Sequence, residues 1–327
     1  MLTPTLCQRI VNALMKKYRY LFGPVPSRRF GQSLGVDLVP MKKCTMDCAF
    51  CQLGHTPRTT VVRKEYVPVE DITGEIAHWL ASGATADYIT LSGSGEPTLH
   101  SRFGKVIDFI HSRTAIPVLL LTNSSLLHLP EVRRDAAKAD VVKISLSAWN
   151  AQSFKRINRP DRSITFARFI KGLIAFRAEF KGLLLMEVFL VKGLNSDPES
   201  ARRIAAIASR VRPDRIQFNT AVRPPADKSV HPVADGRMAV LAGLFQPKAE
   251  LIPSTGPGSS PALNANKDDV LALLRRHAST VGQVASAFGV PMLTAQALID
   301  QLFSSGSITK RRMKKNIYYT PDEDHGT

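Results

Sequence analysis

Three cysteines, Cys44, Cys48 and Cys51, fall within the run Lys43-Cys-Thr-Met-Asp-Cys-Ala-Phe-Cys51. Thiolates at this spacing on one short loop can hold three corners of a cubane iron–sulfur cluster, which leaves the fourth iron without a protein ligand. An open metal position is what makes a metal site chemical and not only structural, as it does for zinc. The competing chemistry is a structural zinc loop. His55 lies four residues beyond Cys51 and would complete a Cys3His set. Disulfides fit poorly, because the cysteines are clustered in a long chain with no secretory signal read at its start.

A second constellation follows. Ala86 to Leu91 reads as a buried strand that runs directly into Ser92-Gly-Ser-Gly-Glu-Pro-Thr-Leu99. Glycines at a strand end let backbone approach a ligand closely, Glu96 offers an acceptor, and Pro97 stiffens the turn. Taken alone such turns are common. Together and in this order, the C-x3-C-x2-C pattern with Phe50 before its last cysteine and the turn through Pro97 resemble the signature of the radical S-adenosylmethionine (SAM) superfamily.

The resemblance implies that the amino and carboxylate groups of SAM chelate the open iron of a [4Fe-4S] cluster. One electron then breaks the S–C5′ bond, and the 5′-deoxyadenosyl radical abstracts a hydrogen atom from the substrate. It also implies that Gly93, Ser94, Gly95 and Glu96 bind the SAM ammonium group through backbone and carboxylate, with Ser94 standing where the family has its first glycine. A one-electron donor such as flavodoxin or ferredoxin is the implied partner.

These residues need elements to position them. Apolar runs predict strands over 34–39, 86–91, 117–122, 140–146, 183–191 and 214–219. Amphipathic stretches between them predict helices over 70–82, 100–113, 125–137, 164–179 and 197–210. Repeated right-handed βαβ crossovers close into a barrel or a doubly wound sheet. The resemblance favours an α/β fold of the partial (β/α)6 barrel type, with ligands at the C-terminal strand ends. That geometry nominates Asn123 and Ser145, which end the third and fourth strands, as SAM contacts, with helix capping as the alternative for each. Phe50 either lies near the adenine or packs its loop. Glu187 and Asn219 face either the barrel mouth or a structural partner.

The stretch from Tyr20-Leu-Phe-Gly-Pro-Val-Pro-Ser-Arg-Arg-Phe-Gly-Gln-Ser-Leu-Gly35, with Gln52-Leu53-Gly54 and Arg223-Pro224-Pro225, is similar to proteins grouped with the wyosine-tRNA synthases. Members of that group begin near Lys-Tyr-Leu-Phe-Gly-Pro, so the start is either Met15 or Met1, with residues 1–14 in the second case reading as a short amphipathic helix. Archaeal wyosine synthases carry a second cluster held by additional cysteines. Cys7, the single remaining cysteine, is too few for one, so the resemblance does not carry the wyosine reaction itself.

Residues 246–266, rich in Pro, Gly and Ser, read as a linker, which divides the chain into a lead-in (1–33), a barrel (34–245) and a second unit (267–320) with a tail (321–327). Helical patterns over 267–277, 280–289 and 292–303, then two short strands from Ser307 to Thr320, resemble a winged helix-turn-helix. Its basic tip, Lys310, Arg311, Arg312, Lys314 and Lys315, together with a net charge of +17, suggests a polyanionic partner, against the bland reading of a solvated charge run. Its third helix carries no Arg or Lys between Pro291 and Gln301, which argues against sequence-specific DNA reading.

The expected protein is a cytoplasmic enzyme, since no apolar run is long enough to cross a bilayer and thiol ligands suit a reducing compartment. Its leading substrate is RNA, tRNA foremost. A peptide gripped by the winged helix is the competing substrate class, and a DNA-binding iron–sulfur sensor the non-enzymatic alternative.

Overall fold

The computed structural model describes residues 18–252, 266–276, 278–313 and 316–322. Cys7, Met15, Lys314, Lys315, positions 253–265 of the expected linker and residues 323–327 lie outside them. Eight strands form one sheet in chain order: β1 (Leu21–Ser27), β2 (Gly31–Asp37), β3 (Tyr88–Ser92), β4 (Val118–Leu121), β5 (Val141–Ser145), β6 (Leu183–Leu190), β7 (Arg215–Thr220) and β8 (Glu250–Leu251). β1 pairs antiparallel with β2, and every later pairing is parallel. Strands β2 to β7 are the six expected ones, each within a few residues of its expected bounds.

The crossovers are α1 (Val69–Ala81), α2 (Phe103–Arg113), α3 (Pro130–Ala136), α4 (Ala151–Ile157) with α5 (Phe166–Glu179), α6 (Pro198–Val211) and α7 (Asp235–Ala242). Parallel neighbours need such crossovers, and repeating them curls the sheet into the expected partial barrel. Local chemistry fixes several helix starts. Asn150 caps α4 in a reciprocal box with Ser153, and Asp197-Pro198 opens α6.

Two faces of the sheet do different work. Ile72, Ile76 and Trp79 of α1 and Phe103, Val106 and Ile107 of α2 pack with Val142, Ile144, Met186 and Val188 in one continuous core between strands and helices. The residues between those, including Val141 and Leu185, face the lumen, where they join Leu119 and Phe30 in a small apolar floor. Side chains alternate across a strand, so Lys143 and Ser145 share the lumen side with Val141.

Beyond the barrel, α8 (Lys267–Arg276), α9 (Val281–Phe288), α10 (Met292–Ser304) and the hairpin β9 (Ile308–Met313)–β10 (Asn316–Pro321) share a second core of Val270, Leu274, Val284, Ile299, Leu302 and Ile308. A Thr280–Gln283 capping box starts α9, and Gly289, at φ +61°, ends it.

Three expectations change. The lead-in contains β1. The first part of the expected linker contains β8, because Ile252 donates its N–H to Phe218 O at 3.0 Å and extends the sheet. The second unit is docked on the barrel and does not stand off it. Val25 of β1 packs into its core, Met313 packs with Phe50 and Phe189, and Tyr318 Oη donates to Val222 O at 2.9 Å. Among the described residues no helix is long and apolar enough to cross a membrane.

Candidate functional site

The loop carrying Cys44, Cys48 and Cys51 leaves the C-terminal end of β2, and its shape is held from three directions. The segment after α4 fixes it through Asp47 N to Arg159 O at 3.0 Å and Ala49 N to Ile157 O at 2.9 Å. The segment after β7 fixes it through Ala226 N to Cys51 O at 2.8 Å and Asp227 N to Ala49 O at 2.9 Å, and Arg159 and Asp227 are themselves paired at 2.5 Å. The Gly93–Glu96 turn is the third support. Lys42 N donates to Ser94 O at 2.7 Å and Glu96 N donates to Lys43 O at 3.0 Å.

Both glycines of that turn are required by this approach. Gly93 sits at φ +101°, and a Cβ on Gly95 would lie 2.0 Å from Lys43 O. The two motifs, separated by more than forty residues in the chain, are therefore one structure.

The three thiols are unpaired and partly buried. Each accepts one long N–H contact: Asn123 Nδ2 to Cys44 at 3.5 Å, Asn158 Nδ2 to Cys48 at 3.6 Å and Lys42 Nζ to Cys51 at 3.6 Å. Burial, with Glu96 adding to it, pushes the Cys44 thiol up to about 12. Burial and the neighbouring thiols push Cys48 up as well. Thiols in such a setting ionise onto a metal and not into water.

Among the described residues no three His, Cys, Asp or Glu side chains converge on one metal ion. His55, the fourth ligand of the zinc alternative, is largely exposed and bonds Asp47 at 3.2 Å. The donor set is thus three thiols with N–H groups of the kind that tune cluster sulfurs. These residues fit a cluster and do not fit a single zinc ion.

Glu96 lies at the end of the turn, beside β4. Its side chain is 2% exposed, and both oxygens are engaged by the protein. Oε1 accepts from Thr98 N at 3.1 Å, Thr98 Oγ1 at 2.6 Å and Thr122 Oγ1 at 2.7 Å, and Oε2 accepts from Asn123 N at 2.8 Å. Burial raises its pKa, against the pull of these donors. The carboxylate, expected to meet a SAM ammonium, ties the end of β3 to the end of β4.

Asn123 is likewise occupied in bridging. Beyond its contact with Cys44, Nδ2 donates to Thr45 Oγ1 at 2.8 Å, and Oδ1 caps Ser125 N at 3.0 Å. Ser145 sits on the lumen side, its amide given to Ser124 Oγ at 3.0 Å. Phe50 stacks on Phe189 with centroids 4.1 Å apart and planes 9° from parallel.

Phe50, Cys51 and Phe189 border a cavity of about 410 Å³ inside the barrel, which Ser279, Gln283 and Ala287 of the C-terminal unit wall on another side. Glu187 and Asn219 both face this cavity. Glu187 Oε2 is bonded by Arg29 Nη1, by Lys143 Nζ at 3.1 Å and by Asn219 Nδ2 at 3.2 Å. Burial opposes the charge of Glu187, but Lys143 and Arg29 outweigh it and hold the carboxyl well below the usual range. Burial and then Arg29 bring Lys143 down to about 8.

Sequence reasoning missed Arg28, Arg29, Lys143, Asn158 and Asp227. One local signal existed, the charged Lys143 inside an otherwise apolar strand.

The basic tip lies on β9 and beyond. Lys310 and Arg312 are exposed, and Lys310 Nζ stands 5.2 Å from the Phe303 ring centroid. Arg311 lines a second cavity of about 600 Å³, with Arg275, Gln52 and Gly54.

Comparison with known proteins gives the family. The Radical SAM superfamily pattern matches residues 38–204. The chain is 36% identical over 307 residues to a protein of Brachyspira hyodysenteriae named GTPase Obg, covering 93% of this chain but 45% of that one. It is 34% identical over 306 residues to UPF0026 protein MJ1312 of Methanocaldococcus jannaschii, covering 91% of this chain and 94% of that one. It is 25% identical over 199 residues to an S-adenosyl-L-methionine-dependent tRNA 4-demethylwyosine synthase of Arabidopsis thaliana, covering 55% of this chain and 29% of that one.

In fold it is similar to a radical SAM methyltransferase from Sphaerobacter thermophilus, at TM-score 0.53 and 15% identity, covering 78% of this chain and 70% of that one. The cysteine loop, the glycine turn beside it and the open parallel barrel share one explanation: the chain belongs to the radical SAM superfamily, enzymes that use a [4Fe-4S] cluster and S-adenosylmethionine.

Proposed function

We propose that Cys44, Cys48 and Cys51 each ligate one iron of the cluster. SAM then lies against the Gly93–Glu96 turn, with Asn123 and Ser145 at the neighbouring strand ends and Phe50 beside it. The observation that carries this reading is the pair of backbone bonds, Lys42 N to Ser94 O and Glu96 N to Lys43 O, which make the thiol loop and the glycine turn a single wall. When bound, the cluster and SAM supply a 5′-deoxyadenosyl radical that takes a hydrogen atom from the substrate.

The chain's own residues do the remaining work. Asn123, Asn158 and Lys42 lend N–H groups to the thiolates and stabilise their charge. Glu96 is a positioning residue that fixes the ends of β3 and β4. The Phe50–Phe189 stack and helix α9 form part of the cavity wall.

Anaerobically reconstituted protein is expected to release 5′-deoxyadenosine under dithionite even without substrate. Absence of that product from cluster-replete protein would overturn the reading. Glu96→Ala strands three buried donors and the part-buried amide of Asn123, which lowers stability by about 1–3 kcal/mol for each buried donor left unpaired. SAM affinity is expected to fall because the turn is no longer tied to β4. Iron content stays as in the parent, and an unchanged SAM titration in this variant would remove Glu96 from the site.

The substrate we infer is RNA, tRNA foremost, bound by a winged helix formed from α8 to β10. Three facts support it: the net charge of +17, the exposed Lys310 and Arg312 on β9, and Arg275 with Arg311 along a cavity bordered by Gln52 and Gly54 of the cluster loop. Similarity to the plant tRNA-modifying synthase agrees with them.

Replacing Lys310, Arg311, Arg312, Lys314 and Lys315 by Gln should weaken RNA binding across sequences. It should also flatten the slope of log affinity against log salt by roughly 3 to 5. RNA binding with an unaltered affinity and slope would sink the wing's role and leave a peptide as the leading partner.

A further inference from the structure

Two buried charges in the barrel cavity have more hydrogen-bonding capacity than the protein uses. Lys143 on β5 and Glu187 on β6 are 7% and 8% exposed, and both line the cavity of about 410 Å³. Glu187 Oε2 takes Arg29 Nη1, Lys143 Nζ at 3.1 Å and Asn219 Nδ2 at 3.2 Å, whereas Oε1 accepts from none of the described residues. Lys143 Nζ meets that one carboxylate oxygen and no other acceptor among the described residues, which leaves two of its three N–H groups unused.

A pair that only held the lumen together would engage these atoms too, because a buried polar group left unpaired costs about 1–3 kcal/mol. Here an open acceptor and open donors stand side by side at the wall of a space. Lys143 and Arg29 keep Glu187 ionised against the effect of burial. Burial and then Arg29 bring Lys143 down to about 8, so it is still mostly protonated at neutral pH. The pair therefore presents an acceptor-only group next to a donor-only group.

Much of the remaining wall is aromatic. Phe22, Phe30, Phe50 and Phe189 line the same cavity. Phe189 lies two residues beyond Glu187 on the same face of β6, and Phe50 stacks on it. In the sheet register Glu187 pairs with Ser145, one of the strand ends where SAM is proposed to lie. A molecule held by Glu187 lies next to that site.

We propose that Glu187 and Lys143 bind the substrate directly, and that the part they take is a nucleobase turned out of an RNA strand. Glu187 Oε1 accepts from an N–H of the base edge, and Lys143 Nζ donates to the oxygen or ring nitrogen beside it. The inference rests on the radical SAM reading given above and names the substrate group that reading leaves open. Every nucleobase carries a donor next to an acceptor on its pairing edge, together with a π face suited to an aromatic wall. A peptide amide also offers N–H and C=O, but it has no broad π face for the four rings to cover. A volume of about 410 Å³ admits one extruded base.

The test is a ligand-observed NMR titration of the full chain, with cluster reconstituted anaerobically and SAM bound, against adenosine, cytidine, guanosine and uridine. At least one nucleoside should bind saturably without displacing SAM. Lys143→Met removes the donor while Arg29 and Asn219 still hold Glu187, and should weaken that binding about tenfold or more. Glu187→Gln replaces an acceptor-only group by one that also donates. It should change the order of affinities among the four nucleosides, which a purely structural role for the pair would leave as it was. Arg203→Gln, an exposed change on α6, is the control and should bind as the parent does.

No saturable nucleoside binding to cluster-replete protein would overturn the proposal. Competition with SAM would do the same, because the pair would then serve SAM. Unaltered affinity in Lys143→Met, with the parent order kept in Glu187→Gln, would overturn it as well. Binding of N-acetylated amino-acid amides in place of nucleosides would overturn it in favour of a peptide. Thermal midpoints and iron content of the same samples separate misfolding from lost recognition, and Lys143→Met decides the matter if Glu187→Gln does not fold. Release of 5′-deoxyadenosine by protein that binds no nucleoside would remove the base site alone. Nucleoside binding by protein that never holds iron would remove the radical reading and leave the base site standing.

Discussion

Alanine at any one of Cys44, Cys48 or Cys51 is expected to abolish the reduced-cluster EPR signal and bring iron from about four per chain to near zero. On the proposed ligation each thiolate holds a different iron, so the effect is all or none: two ligands do not retain a cubane on a loop open at its fourth corner. Neighbouring groups cannot substitute. His55 is turned to Asp47, and among the described residues no group of three His, Cys, Asp or Glu side chains is placed to take over as metal ligands. Cys7→Ala should leave the signal intact, since Cys7 belongs to neither motif. The signal in the parent protein should change on adding SAM. Zinc without iron in anaerobically purified protein would defeat the assignment, as would full iron content in any of the three variants.

The same loop shows what a sequence can and cannot say. Its ligand spacing is local, so three cysteines within eight residues were legible at once. The six parallel strands were legible for a similar reason. Strands buried on both faces read as continuous apolar runs, and each run was met by a strand. The antiparallel β1 escaped because Gly23, Pro24 and Pro26 read as loop, and β8 because two residues next to a Pro-rich stretch carry no period.

The supports of the site were not legible at all. Asn158 meets Cys48 across 110 positions of chain, and Arg29 meets Glu187 across 158. Nothing in the neighbourhood of either residue marks such a partner. Glu96 shows the converse. Its motif was clear, but the direction of its carboxylate is set by Thr98, Thr122 and Asn123, and only the fold brings the last two beside it.

Position also decided the meaning of the C-terminal unit. Composition marked 246–266 as a tether, which implied a second unit working at a distance. Val25, Phe50 and Val222 each touch that unit, so it forms part of the cavity wall. A deletion of residues 262–327 would therefore open the barrel cavity as well as remove the basic strand.

Arg276→Ala is expected to destabilise the protein by about 3–5 kcal/mol, the usual cost of breaking a buried ion pair from one side. Arg276, on α8, donates Nε to Asp37 Oδ2 at 2.7 Å and brings Nη2 to 2.5 Å from the same oxygen. The two side chains are 12% and 7% exposed, so Asp37 would be left charged and nearly dry. The guanidinium also lies 4.6 Å from the Phe22 ring centroid, and the same change removes this cation–π attraction. Asp37 Oδ1 holds Ser94 N at 2.7 Å, so the carboxylate links the C-terminal unit to the glycine turn. SAM affinity should fall along with stability, even though Arg276 is on a different unit from the turn. Asp37→Asn combined with Arg276→Ala removes both charges and should recover much of the loss in stability, because the stranded carboxylate was its main source. Denaturant unfolding and SAM titration of the two single variants and the double variant close a cycle. A coupling near zero, or a double variant no more stable than Arg276→Ala, would mean that the C-terminal unit does not dock through this pair.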